Sequence, residues 1–146
     1  MPMYLYRRPS EAKLMVARFL EKIDLSPIIL HEKENEGKTI IEKFEKHSDV
    51  GFAIVLLTPD DVGCLSTENP AGLKPRARQN VILELGYFIG KLGRSRVCAL
   101  KKSDIELPSD YLGVTWTELD AAEGWHKKLI KELRAAGYAI DANKVL

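Results

Sequence analysis

Residues 52–58 read FAIVLLT. Up to its closing threonine the run is apolar at every position, and Ile54 and Val55 add β-branching. A strand that offers no polar face to water is buried on both faces. The central strand of a parallel sheet reads this way when helices cover it on either side.

Working outward from that strand, helix-period and strand-like segments alternate. Upstream, Met3–Tyr6 is a short candidate strand, and Val16, Phe19, Leu20 and Ile23 fall at i, i+3, i+4 and i+7, one face of a helix over Ser10–Ile23. Pro27–Leu30 reads as a strand ended by charge, and Thr39 with Glu42 makes a capping box opening a helix that runs to about His47. Downstream, Pro59–Arg76 is rich in Pro, Gly, Asp and Ser without periodicity. A helix follows from about Ala77 to Leu92, stopping near Gly93, then strands at Arg96–Leu100 and Val114–Leu119. The last helix spans Trp125–Gly137, with Trp125, Leu129 and Leu133 on one face and Gly137 as its C-cap. This alternation predicts a single α/β domain over residues 1–146, flavodoxin-like, with a five-stranded, mostly parallel sheet and helices on both faces.

Composition narrows the partners. Lys and Arg total 22 against 21 Asp and Glu, a net charge of +1, so no global field favours nucleic acid or an anionic membrane. The basic pairs Arg7/Arg8, Arg76/Arg78 and Lys101/Lys102 suit either a small anion or a solvated turn. Cys64 and Cys98 lie far apart, and His31, His47 and His126 are scattered. Neither a disulfide framework nor a zinc or other metal site is expected. No apolar run approaches the ~20 residues that span a bilayer, and no signal-peptide pattern precedes Ser10. A reducing, cytoplasmic setting is the expectation.

In such a sheet ligands bind beyond the carboxyl ends of the strands, where strand order reverses. In the order 2-1-3-4-5 the relevant loops leave Tyr6, Leu30 and Thr58. The 18 residues from Pro59 to Arg76 exceed the ~12–15 of an ordinary structureless loop, leaving a binding loop or a floppy insertion. HEKENEGKT (31–39) joins a strand end to a capped helix. Gly37 relaxes the backbone and Lys38 can meet an anion, though a polar turn explains the segment equally and no Walker A pattern is present. In QNVILELG (79–86) one glutamate interrupts an apolar run. On a wheel Val81, Leu85, Phe88 and Leu92 form the apolar stripe, and Glu84 falls roughly 90° from its centre, beside Tyr87 and Lys91. A carboxylate there either faces the crevice in the favourable amino-terminal half of the helix or pairs with a nearby cation or water.

The runs TIIEKFEKHSDVGFAIVLLTPDD (39–61) and RARQNVILELGYFIGKLGR (76–94) resemble TIR-like domains of predicted nucleotide-binding proteins. They are similar to the TIR effectors of bacterial cyclic-nucleotide defence systems, including those fused to STING-type sensors. The similarity spans roughly Ser10 to Tyr138. It implies a TIR fold that cleaves the nicotinamide–ribose bond of NAD+ as substrate, with no cofactor and with Glu84 catalytic. It also implies a nucleotide cleft lined by Thr58, Asp60 and Asp61, by Arg76, Arg78 and Asn80, and by the loop after Leu30 with Lys38. Arg8 takes the place of an arginine at the family's first turn. There this chain has Tyr6-Arg7-Arg8-Pro9 where relatives carry a His-Gly-Arg-like turn, so a glycine position is filled by Arg7 and Pro9 removes an N–H.

The chemistry suits one carboxylate: cationic nicotinamide leaves without protonation, and an anion stabilises the oxocarbenium-like ribose. The resemblance further implies an antiphage or cell-death effector activated by self-association, or by a TIR-containing or sensor partner, since no sensor domain accompanies the fold in this chain. The alternative is a non-catalytic nucleotide-binding or TIR–TIR scaffold module. A phospho-receiver, which shares the strand order, wants acids after the first strand, and Tyr6–Pro9 has none.

Overall fold

A computed structural model describes residues 3–6, 11–30, 42, 45, 50–108 and 116–145. In chain order the strands are β1 (Met3–Tyr6), β2 (Ile28–Leu30), β3 (Phe52–Leu57), β4 (Asp61–Gly63), β5 (Lys74–Arg76), β6 (Val97–Lys101) and β7 (Trp116–Glu118). The helices are α1 (Glu11–Lys22), α2 (Gln79–Leu92) and α3 (Gly124–Ala135). The main sheet has five strands in the order β2-β1-β3-β6-β7, every adjacent pair parallel.

FAIVLL is buried along its whole length, and its period of two divides the interior. Phe52, Ile54 and Leu56 join Cys98 and Leu100 of β6 under α1 and α3. Ala53, Val55 and Leu57 join Val97 and Ala99 under Val81, Leu85 and Phe88 of α2. One strand feeding two cores is what makes the layer doubly wound, with β1 and β3 flanking the point where strand order reverses.

The segment Pro59–Arg76 is not a structureless loop. β4 and β5 pair antiparallel, Asp61 opposite Arg76 and Gly63 opposite Lys74, and a 3-10 turn at Pro70–Gly72 lies between them. Its missing hydrophobic alternation misleads because polar contacts hold the pairing. Arg76 Nε donates to Asp61 Oδ2 at 2.9 Å, and the Glu106 N–H donates to the Pro75 carbonyl at 2.8 Å, tying the hairpin to the chain after β6.

The next helix begins at Gln79 rather than Ala77. With Arg76 fixed in the hairpin, Arg78 remains extended at φ −62°, ψ 147°, and its carbonyl accepts from the N–H groups of Val81 and Ile82. The start of α3 is held by Asp120, whose two carboxylate oxygens accept from the N–H groups of Gly124 and Trp125 at 2.9 and 3.0 Å. Those bonds keep the Asp120 carboxyl below its usual range. Of the helix expected over 39–47, Glu42 and Glu45 are helical and the rest lies outside the described residues, as do residues 114 and 115 of the expected last strand.

Candidate functional site

The carboxyl end of β3 and the amino end of α2 meet at an open cleft of about 360 Å³ lined by Asp60, Asp61, Arg76, Arg78, Gln79 and Asn80. Thr58, buried at the end of β3, turns the chain into it: the Thr58 hydroxyl donates to the Asp60 carboxylate, and the Asp60 N–H donates to the Thr58 carbonyl at 2.8 Å. These two bonds close a tight turn that fixes both aspartates. Asp61 then reaches across the hairpin to Arg76. Hydrogen bonding from Arg76 above all, with the Val62 N–H, holds the Asp61 carboxyl below the usual carboxylate range, and Arg78 adds a smaller pull.

Two arginines, two aspartates and the opening turn of a 14-residue helix therefore face one space. The first N–H groups of a helix have no intrahelical acceptor, and Arg78 at the cap position makes no side-chain cap bond. Positive helix-end dipole and guanidinium groups suit phosphate oxygens, while the aspartates suit hydroxyl donors. A ligand with both groups matches this lining better than a purely anionic one.

Glu84 is buried, at 8% exposure, and its Oε2 is sealed from solvent. Residues four apart share a helix face, so it stands one turn beyond Asn80 on the same side of α2, beneath the cleft rather than in its lining. The border position read from the wheel underestimates its depth. Burial and the Glu45 carboxylate raise the neighbouring Tyr87 phenol above its ordinary value. Glu45, distant in sequence, thus acts electrostatically on Tyr87 of α2.

Of the residues expected here, Asp60, Asp61, Arg76, Arg78 and Asn80 line one cleft, Thr58 anchors its turn and Glu84 lies below it. Arg8 and Lys38 lie outside the described residues, with the turn after Tyr6 and the loop after Leu30. Two participants went unread. Gln79 is the first helical residue, recognisable once the helix start is placed correctly. Gly63 lies under the Arg76 guanidinium, a contact that needs the hairpin register to be known. Among the described residues no His, Cys, Asp and Glu side chains cluster to hold a metal, and no helix is long and apolar enough to cross a membrane.

The strand order and the crevice beyond β3 define a doubly wound α/β domain with its candidate site at the point where strand order reverses. Residues 6–121 match the family described as CAP12/Pycsar effector protein, TIR domain. The chain belongs to that family, the TIR effectors of cyclic-nucleotide defence.

The chain is 54% identical over 138 residues to the uncharacterized protein YuaY of Escherichia coli (strain K12), covering 94% of this chain and 46% of that protein. It is 42% identical over 110 residues to protein tirC of Dictyostelium discoideum, 69% of this chain and 55% of that one. With the Pycsar effector protein PaPycTIR of Pseudomonas aeruginosa it shares 40% identity over 78 residues, 51% of this chain and 24% of that protein. The chain thus spans about half the length, or less, of these curated relatives.

Proposed function

We propose that this domain hydrolyses the nicotinamide–ribose bond of NAD+, as the catalytic part of a defence effector that becomes active on self-association. The observation that supports this most directly is the burial of the Glu84 carboxylate on α2, one turn from a cleft that offers arginines, aspartates and a helix N-terminus. Desolvation strengthens the action of a fixed negative charge on a cation that develops beside it.

In the reaction the C1′–N bond breaks and its electron pair passes to the nicotinamide ring, cancelling the ring's positive charge. Positive charge moves to the ribose, and Glu84 stabilises that oxocarbenium-like centre. Water then bonds to C1′ and releases one proton to bulk water, leaving the C1′ hydroxyl of ADP-ribose. Arg78 and the first N–H groups of α2 hold the pyrophosphate, while Asp60 accepts from sugar hydroxyls. Neutral departure of nicotinamide removes the need for a second carboxylic acid.

Concentrated protein incubated with NAD+ and assayed for free nicotinamide tests the proposal. Glu84→Gln is expected to lower the rate by ~10²-fold or more, the scale of losing a preorganised charge, with the melting temperature largely preserved. Calorimetric binding of NAD+ without nicotinamide release at any protein concentration would instead establish a non-catalytic binding module. A Glu84→Gln chain that melts early yet keeps its turnover would reduce Glu84 to a structural role.

A further inference from the structure

A second cavity opens against the same end of α2. It holds about 240 Å³ and is walled by Ala77, Ile82, Leu107 and Pro108, with Arg76, Gln79 and Glu106 as its polar members. Arg76 and Gln79 also line the cleft of Asp60 and Asp61, so the two spaces share one wall. That wall is fixed from both sides. Arg76 Nε donates to Asp61 Oδ2 at 2.9 Å, the Glu106 N–H donates to the Pro75 carbonyl at 2.8 Å, and Arg76 pairs with Glu106 in a parallel bridge.

The two spaces differ in character and in side. The cleft is lined by charged and amide side chains throughout, whereas four of the cavity's seven lining residues are apolar. On α2, Ile82 lies two residues from both Asn80 and Glu84, about 200° around the helix from each. The cavity therefore flanks α2 on the side away from Glu84, with the helix N-terminus between them. At about 240 Å³ it is smaller than the ~300–1,000 Å³ that encloses a whole drug-sized ligand. It suits one ring system of a molecule whose remainder lies in the adjoining cleft.

We propose that this cavity takes the purine ring of the dinucleotide, the end that is not cleaved. This orientation depends on Glu84 being the carboxylate at the scissile bond. A dinucleotide carries one nucleoside on each side of its pyrophosphate. With the pyrophosphate at the first N–H groups of α2, the nicotinamide riboside falls on the Glu84 flank and the adenosine on the Ile82 flank. Ile82, Leu107 and Pro108 cover the flat faces of the ring, whose removal from water is favourable. Gln79 and Glu106 supply oxygen acceptors for its exocyclic amino group. Ile82 and Leu107 are then specificity-determining positions that touch no reacting atom.

Methyl NMR of the full chain, titrated with fragments of the dinucleotide, tests it. AMP and ADP-ribose are expected to shift the Ile82 and Leu107 methyl signals together with the Asn80 side-chain amide. Ribose 5-phosphate and nicotinamide mononucleotide should move Asn80 and leave those methyls in place. Ile82→Trp fills the cavity and Leu107→Asp makes its wall polar. Each is expected to weaken AMP binding by about tenfold or more, with circular dichroism checking the fold. AMP binding is read whether or not NAD+ is hydrolysed. Methyl shifts in a chain that releases no nicotinamide uphold the base pocket while removing the hydrolase reading. Methyls silent to AMP at every concentration overturn the base pocket, and nicotinamide release would then leave hydrolysis standing without it. Methyls that answer to nicotinamide mononucleotide but not to AMP overturn it too, since the reacting ring would occupy the cavity. So does AMP binding that both variants leave unchanged.

Discussion

A Cβ built on Gly63 would lie 2.3 Å from Nη1 and 2.5 Å from Cζ of Arg76, well inside van der Waals contact. The absence of a side chain there is what lets the guanidinium fold back along the hairpin to Asp61. Adding a methyl leaves the strand backbone alone and displaces the far end of a flexible side chain, which removes the hydrogen bond that lowers the Asp61 carboxyl. In Gly63→Ala the Asp61 titration is therefore expected to move up toward the ordinary carboxylate range, as read by carbon NMR of its side chain. The sign follows from linkage: with its native value depressed, Asp61 favours the folded state at neutral pH, and that contribution is lost only as pH falls through the depressed value. Exposed pairs contribute little to stability, so the melting temperature should barely change while the cleft loses an ordered wall. An unmoved Asp61 titration would show that Arg76 does not depend on Gly63.

Among the elements, α3 shows what a local pattern can carry. Its C-terminus is a Schellman motif: the Gly137 N–H donates to the Arg134 carbonyl and the Tyr138 N–H to the Leu133 carbonyl, both at 3.0 Å, with Gly137 at φ 100°. Tyr138 then packs back on the core, its ring edge-on to Phe52. Gly137→Ala forces a Cβ into the left-handed region, a cost of about 1–2 kcal/mol, and for a chain of this size a loss of roughly 2–8 °C in melting temperature. A thermal melt by circular dichroism reads it, and an unchanged midpoint would mean that the turn relaxes without the glycine. This cap was legible because its signal is local: a glycine just past the last apolar position. FAIVLLT was legible for a related reason, since burial on two faces leaves no polar residue in the run. The β4–β5 hairpin was not. DVG and KPR are three residues each, Val62 is 55% exposed, and the contacts that pair them come from Arg76 and from Glu106 after β6. The depth of Glu84 was unreadable because a wheel drawn on one helix does not show how that helix seats on the sheet.

The molecule as a whole hangs on β3 and β6, whose alternate residues serve two separate interiors. Cys98 sits on β6 inside the α1–α3 core, with no exposed surface. Burial, reinforced by the neighbouring Glu132 carboxylate, raises its thiol well above the ordinary value despite a small opposing effect of Thr117. Thiolate is the reactive form, so the native thiol is shielded by both access and ionisation. Cys64, just past β4, is partly exposed. Iodoacetamide should therefore modify Cys64 in the native protein and reach Cys98 only through opening of the sheet. β6 lies between β3 and β7, so exposing its inner face requires α3 to leave the sheet and the first core to come apart. Opening free energies range from near zero at frayed ends to the full unfolding value in central strands, and Cys98 belongs at the upper limit. Its labelling rate in increasing urea is expected to extrapolate to the same free energy as equilibrium unfolding followed by circular dichroism. A Cys98 rate that exceeds this value and is insensitive to urea would mean that α3 detaches locally while β3 and β6 stay paired, and the two interiors would then be independent units rather than one cooperative fold.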